Sequence, residues 1–436
     1  MPAYSFVVTA AATTLVFVLA LAASLAVRLW LARRQIAHVR HHRDQVPAAF
    51  AERLTPSAHA KAADYTVAKQ RQAMLHTVAD ALLLLALTLG GGLAAIVAWT
   101  ETMPLTPLWR DVAMFGVAGL IYAAVGLPFS WWHTFRIEER FGFNRVTLRL
   151  WLADLAKGTA LALVLGVPLL VLVLWLMGAA GATWWLMAWA AWMGFQLLLL
   201  VLYPLVIAPM FNTFSPLGEN PARERIEALL ARCGFRSAGL FVMDGSKRSG
   251  HGNAYFTGFG RAKRIVFFDT LLSRLTPDEI EAVLAHELGH YKRLHVVKRI
   301  VWSALLSLVV LGLLAWLAQA PWFYVGLGIP EPLLPVAMRR PGVALELFLL
   351  VLPVLTIVLE PLSARYSRRH EFEADAFAVR HASAAALTNA LIKLYEDNAA
   401  TLTPDPMHSA FYDSHPPASV RIAHITAFAG TQAAPA

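Results

Sequence analysis

Leu155-Ala156-Lys157-Gly158-Thr159-Ala160-Leu161-Ala162-Leu163-Val164-Leu165-Gly166-Val167-Pro168-Leu169-Leu170-Val171-Leu172-Val173-Leu174-Trp175-Leu176-Met177 is an apolar run of membrane-spanning length. Only Gly178-Ala179-Ala180-Gly181-Ala182 separates it from a second run over about 183–207. A helix needs roughly 20 mostly apolar residues to cross a bilayer core about 30 Å thick. The pair therefore reads as two spans joined by a tight hairpin turn. Five more segments qualify, at about 7–31, 78–99, 112–132, 300–318 and 343–362. The predicted fold is mainly α, a polytopic membrane protein with seven transmembrane helices. The last span, rich in Gly and Pro, carries the weakest signal.

Composition agrees. Of 436 residues, 58% are hydrophobic and 15% charged, with a mean hydropathy of +0.55. Soluble domains run at about 45–50% apolar and about 25% charged, so this is no ordinary cytosolic enzyme and no disordered chain. The net charge of +9 would suggest nucleic acid in a soluble protein; in a membrane protein it marks the cytoplasmic loops. Residues 1–27 contain no Lys or Arg, whereas a secretory signal needs positive charge ahead of its apolar stretch, so the first run reads as an uncleaved anchor with its N-terminus outside. Only Arg110, Arg339 and Arg340 fall in the loops on the outer side. Arg28, Arg33, Arg34, Arg40 and Arg43, and Arg136, Arg140, Arg145, Arg149 and Lys157, lie on the opposite side, which by the positive-inside rule is cytoplasmic. The single cysteine, Cys233, excludes an intramolecular disulfide and reads as a small buried residue. Four regions follow: membrane helices in 1–208, a polar segment 209–299, two more spans in 300–362, and a polar segment 363–436.

The chemistry lies in Thr276-Pro277-Asp278-Glu279-Ile280-Glu281-Ala282-Val283-Leu284-Ala285-His286-Glu287-Leu288-Gly289-His290. Thr276 followed by Pro277 and, three residues after the cap, Glu279 is the signature of a capping box. The helix it starts carries His286 and His290 one turn apart on one face, a spacing at which two imidazoles hold one zinc ion while Glu287 activates water. A hydrolytic zinc needs a third protein ligand, and the candidates stand in Arg368-Arg369-His370-Glu371-Phe372-Glu373-Ala374-Asp375. Glu371 and Asp375 share a helical face, so one can ligate while the other accepts a ligand's ring N–H. Spacing alone leaves Glu371, Glu373 and His370 open. His295, five residues past His290, points off the ligand face of a continuous helix and reads as a surface histidine. His38, His41 and His42 sit in a basic juxtamembrane run and read as solvated charge near lipid headgroups.

Within the first polar segment, 239–243 and 264–268 are β-rich, and 253–256 lies between them among glycines. A small sheet is expected, with an exposed edge that accepts an extended peptide as an added strand. Tyr255 and Phe256 divide between substrate contact and core packing.

His286-Glu287-Leu288-Gly289-His290 followed by Glu371-Phe372-Glu373-Ala374-Asp375 resembles the integral-membrane CAAX prenyl endopeptidases of the sterile-twenty-four type. Phe135-Arg136-Ile137-Glu138-Glu139-Arg140-Phe141-Gly142-Phe143-Asn144, Ile207-Ala208-Pro209-Met210-Phe211-Asn212-Thr213-Phe214, Asn253-Ala254-Tyr255-Phe256 and Ser414-His415-Pro416-Pro417 fit the same family pattern. The resemblance covers nearly the whole chain. It implies a split zincin-like protease domain with one Zn2+ per chain, held by His286, His290 and Glu371, with Asp375 behind a histidine ligand and Glu287 as the acid–base. It also implies that His415 stabilises the oxyanion, that Asn253, within Asn253-Ala254-Tyr255-Phe256, contacts substrate near the scissile bond, and that Arg421 binds substrate. In that family the helices enclose a chamber, which Glu346, Glu360 and His133 could line, although the sequence itself shows no cavity.

The expected activity is zinc endopeptidase cleavage of peptide or protein substrates, prenylated or not, in contact with lipid and without nucleic acid. The alternatives are a membrane-protein quality-control protease and a zinc-containing transporter. A site-two-type intramembrane protease fits less well, since Lys292, Arg293 and His295 follow the histidine motif closely. The tail ending in Thr431-Gln432-Ala433-Ala434-Pro435-Ala436 carries no retention signal, which points to a bacterial inner-membrane protein.

Overall fold

The computed structural model describes residues 9–257 and 264–433. Six helices among these are long and apolar enough to cross a membrane, and a bent pair, Pro56–Leu87 with Gly92–Glu101, makes a seventh if counted as one span. The straight candidates are Ala10–His41, Pro107–Glu138, Leu148–Ala179, Gly181–Phe211, His295–Leu317 and Pro341–His381. Leu120, Val164 and Val309 expose about 70% of their surface, apolar area that water would not tolerate in such amount and that lipid accepts. The chain is a multi-pass integral membrane protein. The hairpin read at 178–182 is present: one helix ends at Ala179, and Gly181, at φ +62°, opens the turn Gly181–Thr183.

Two spans differ from expectation. The helix of the second, expected at about 78–99, extends back to Pro56, and the pair is broken by 49° across Gly90–Gly92, where Gly91 takes φ +77°. A side chain on Gly90 or Gly92 would lie within 2.8 Å of the carbonyl of Ala86, so the kink requires the glycines. The Gly- and Pro-rich last span is the most enclosed: 56% of its most apolar window is buried, against 11% for four of the others. Neighbouring helices cover it, and small residues let them approach. It then passes through one tight turn, Thr356–Leu359, into the polar helix Glu360–His381 without any loop.

The two polar segments form one unit. Their shared core joins Leu217, Ile226 and Leu229 to Phe267, Leu284, Leu288, Leu387 and Ile425. It includes a mixed four-stranded sheet of β1 (Phe214–Pro216), β2 (Leu240–Met243), β3 (Ala254–Thr257) and β4 (Arg264–Phe268), in the order β1-β2-β4-β3. β2 and β4 run parallel, β3 is antiparallel to β4 with Ala254 opposite Phe267, and β3 is an edge strand. Cys233 is buried in this core.

Ion pairs mark the two ends of the bundle. At the end bearing the polar unit, Arg34 binds Asp405 (2.9 Å) and Arg28 binds Glu360 (2.5 Å). At the other end Arg340, almost wholly buried, bonds Asp111 (2.8 Å) while Arg110 pairs with Glu101 (2.7 Å). Glu360 is thus ion-paired, His133 bonds Gln72 (3.1 Å), and Glu346 is buried.

Candidate metal centre

Thr276 caps the helix Pro277–Lys292 as its sequence requires: Glu279 Oε2 accepts from the Thr276 amide (2.8 Å) and the Thr276 hydroxyl accepts from the Glu279 amide (3.4 Å). Ile280, Leu284 and Leu288 bury one face, which turns His286 and His290 toward the helix Glu360–His381. The two helices pack closely at Gly289. A Cβ there would stand 2.8 Å from the Cα of Ala374 and 3.0 Å from its carbonyl oxygen, so no larger residue allows the approach. That contact brings Glu371, one turn before Ala374, to the histidines.

Among the described residues, His286, His290 and Glu371 are the group of His, Cys, Asp and Glu side chains that could hold a metal ion. These three groups stand around one point as a triangle of side chains, with Glu371 presenting a different carboxylate oxygen to each histidine. His286 Nε2 and His290 Nε2 are 3.2 Å apart, His286 Nε2 and Glu371 Oε2 3.4 Å, and His290 Nε2 and Glu371 Oε1 3.3 Å. A tetrahedral zinc with bonds of about 2.0–2.1 Å places its ligand atoms about 3.3–3.4 Å from one another. Glu371 Oε2 is moreover buried with no hydrogen-bond donor. Residue type, spacing and this orphaned oxygen all fit Zn2+.

Each histidine is oriented from behind. His286 Nδ1 is 2.8 Å from Asp375 Oδ1, and Arg421 grips Asp375 with two hydrogen bonds of 2.7 Å from Nε and Nη2. Burial and the nearby Arg421 guanidinium oppose protonation of His286, but the hydrogen bond to Asp375 and the adjacent Glu371 carboxylate outweigh them and push its pKa up to about 9. The carboxylates therefore draw positive charge to this point. His290 Nδ1 is 2.9 Å from His295 Nδ1, whose Nε2 lies 3.1 Å from Glu373 Oε2.

His295 corrects the sequence reading. It is fully buried, stacked on His370 at 3.9 Å between ring centroids, and it supports a candidate ligand. The helix does not continue past Lys292; Leu294 takes a left-handed φ of +56° and a new helix starts at His295, folding it back on His290. A helical wheel drawn through 290–295 misses this, because the apolar run begins only at Ile300 and nothing in the residues before it marks a break at Leu294.

A cleft of about 330 Å³ opens on the triangle. His286, Glu287, Glu371, Asn253, Ala254, His415 and Arg421 line it, with an apolar wall that includes Leu271, Val283 and Leu391. His415 Nε2 lies 3.5 Å from Glu371 Oε1, and its loop is held by a hydrogen bond from the Tyr395 hydroxyl to the Pro416 carbonyl (3.3 Å). Arg421 faces the cleft but is 7% exposed and committed to Asp375. Tyr255 and Phe256 do not reach it: Tyr255 packs on Phe268 and Phe256 on Phe235. Of β3, Ala254 lines the cleft.

The sequence profile described as "CAAX prenyl protease N-terminal, five membrane helices" matches residues 35–213, and that of "Peptidase family M48" matches 216–429. The chain is 35% identical over 324 residues to CAAX prenyl protease 1 of Saccharomyces cerevisiae, covering 72% of this chain and 71% of that one. It is 38% identical to the Arabidopsis thaliana homolog (68% of each) and 33% identical to that of Homo sapiens (70% and 71%). The crystal structure of S. mikatae Ste24p superposes with a TM-score of 0.87 at 29% identity, over 95% of this chain and 99% of that chain. With a His-His-Glu triangle at the cleft and these relatives along its length, the chain belongs to peptidase family M48, among the membrane-embedded zinc metallopeptidases related to the CAAX prenyl proteases.

Proposed function

We propose that this chain is an endopeptidase that binds an extended peptide along the β3 edge and cleaves it at a single Zn2+ held by His286, His290 and Glu371. The observation that carries the proposal is the triangle of His286, His290 and Glu371, whose donor groups approach one another at 3.2–3.4 Å beside the cleft. Bound there, the ion supplies Lewis acidity, polarising the scissile carbonyl and making water a better proton donor.

The chain's own groups do the rest. Glu287, between the two histidines and on the cleft wall, takes the proton of the attacking water and hands it to the departing amine. His415 and Asn253 donate hydrogen bonds to the oxygen where negative charge develops; removing one such donor costs about 10²–10³ in rate. Asp375 holds the tautomer and direction of His286, and Arg421 holds Asp375 while facing the cleft. Ala254, Tyr255 and Phe256 offer main-chain hydrogen bonds, which suits many sequences and leaves selection to the apolar wall and to access from the membrane. That wall, together with relatives named CAAX prenyl proteases, supports C-terminal peptides with a prenylated cysteine as one substrate class, and fragments of membrane proteins as the second. The basic end of the first span adjoins the polar unit, which supports a cytoplasmic active site.

Glu287→Gln tests the mechanism. It should retain zinc and lose peptide cleavage, and cleavage at the wild-type rate would refute the assignment. Chelation should abolish wild-type activity and added zinc restore it; activity that persists without metal would remove the basis for the whole reading.

A further inference from the structure

Two of the stretches that fit the family pattern, 135–144 and 207–214, take no part in the metal chemistry. Both converge on one short connection, residues 248–253, which leads into β3. Phe143 to Arg145 run beside it: Asn144 forms an antiparallel bridge with Ser249, the Gly250 amide donates to the Phe143 carbonyl (3.1 Å), and the Arg145 amide donates to the Arg248 carbonyl (3.2 Å). Arg248 reaches the other way, with bonds of 2.8 and 2.9 Å to Asp154 in the membrane helix Leu148–Ala179 and 2.8 Å to Asn212.

The centre of the arrangement is Glu138, at the end of the π-helical turn His133–Glu138 that closes the third span. Such turns are rare and concentrate at functional sites. Its carboxylate is 13% exposed and accepts from the Tyr65 hydroxyl; His133 Nε2 and His251 Nε2 each lie 3.4 Å from it. His251 passes the contact onward. Its Nδ1 is 3.0 Å from Asn398 Oδ1, its ring stacks on Phe143 at 4.4 Å, and its carbonyl accepts from the Thr270 hydroxyl at 3.0 Å. Asn398, Gly252, Asn253 and Ala254 all line the cleft. A nearly buried carboxylate shared among three donors is weak as a source of stability but well suited to fixing one geometry.

We propose that Glu138 and His251 are positioning residues for substrate: the carboxylate, through His251, holds residues 248–252 and thereby sets where the β3 edge stands relative to the metal triangle. This rests on the edge-strand reading of the preceding section. The membrane helices on this view do more than anchor the protease, since the ends of the second, third and fourth spans locate the strand that receives the peptide.

The test uses the full chain in lipid vesicles with zinc content measured, and two peptides. One spans only the scissile bond and its immediate neighbours; the other extends several residues further along the β3 edge. Glu138→Gln and His251→Gln should each raise KM for the long peptide about tenfold while kcat stays within about twofold, with short-peptide kcat/KM and zinc content unchanged. The double variant should be no worse than the more impaired single one, because both act through one contact. Glu138→Asp should recover part of the loss, and Tyr65→Phe, which removes one donor without disturbing the loop contact, should lose less. Equal loss on both peptides, or loss that follows zinc content, would mean a structural role and overturn the proposal, as would an unchanged KM for the long peptide. A wild-type chain that cuts neither peptide would overturn the peptidase reading itself; wild-type cleavage with indifferent variants would overturn this inference alone.

Discussion

Replacing Gly289 with alanine places a methyl carbon 2.8 Å from Ala374 Cα, 3.0 Å from its carbonyl oxygen and 3.1 Å from Phe377 Cβ. The nearest atom is backbone, so no side-chain rotation relieves the clash. Carbon atoms pack at about 3.5–4.0 Å, so the two helices must separate by roughly 0.7 Å at this point. Glu371 lies one turn from Ala374 on the displaced helix, whereas His286 and His290 ride on the other. The two triangle edges that end on Glu371, now 3.3 and 3.4 Å, open by a similar amount, beyond the tolerance of about 0.5 Å for a functional site. Overpacking costs about 1–3 kcal/mol. If that strain falls on the ligand set, zinc binds roughly 5–150-fold more weakly. Competition against a chelator of known affinity measures this directly. Gly430→Ala is the control, because no atom lies within 4 Å of its added carbon. A Gly289→Ala protein that binds zinc within twofold of wild type would refute the view that this close approach builds the triangle.

Other perturbations separate the roles of neighbouring groups. Glu371→Ala should retain less zinc on dialysis than Glu373→Ala, and the reverse order would exchange ligand and support. His295→Ala leaves His290 Nδ1 without its partner and should weaken zinc by about 10–100-fold, measured by the same competition; an unchanged affinity would make His295 mere packing. The raised pKa of His286, about 9 before metal binds, means that its proton must leave for the ring to ligate. Apparent zinc affinity should therefore climb with pH from 7 to about 9, by up to about tenfold per unit, and level off above. A flat profile over that window would mean that His286 does not carry the proton.

Whatever depends on neighbours in the chain was legible in the residues. The capping box at Thr276 and Glu279, the histidines one turn apart, the glycine turn after Met177 and the alternation of apolar runs with basic loops are all local patterns, and each is found in place. The pairing of Glu371 with the histidines across some eighty residues came only with the family resemblance, since spacing left Glu373 and His370 equally open. What stayed hidden depends on events between elements. The wheel placed His295 on the surface because a wheel assumes a continuous helix, and a left-handed Leu294 breaks it. Arg421 grips Asp375 from a separate helix, and Glu138 meets His251 from more than a hundred residues away. The helix that carries the second apolar run begins well before it, at Pro56, because its first turns are polar and pack on protein, which hydropathy does not mark.

The run from Pro341 to His381 has a mechanical consequence. A bilayer thinner or thicker than the span prefers makes it tilt. Where spans and catalytic segments are joined by slack chain, such tilting dies out in the linker. Here there is no slack: one rod enters the lipid at Pro341 and carries Glu371 at its far part, with only the tight turn Thr356–Leu359 as a joint. The histidines sit on the helix Pro277–Lys292, joined through the break at Leu294 to a different span, His295–Leu317, so the ligand set is assembled from two parts that answer differently to the surrounding lipid, and bilayer thickness becomes a variable of the enzyme, as pH is.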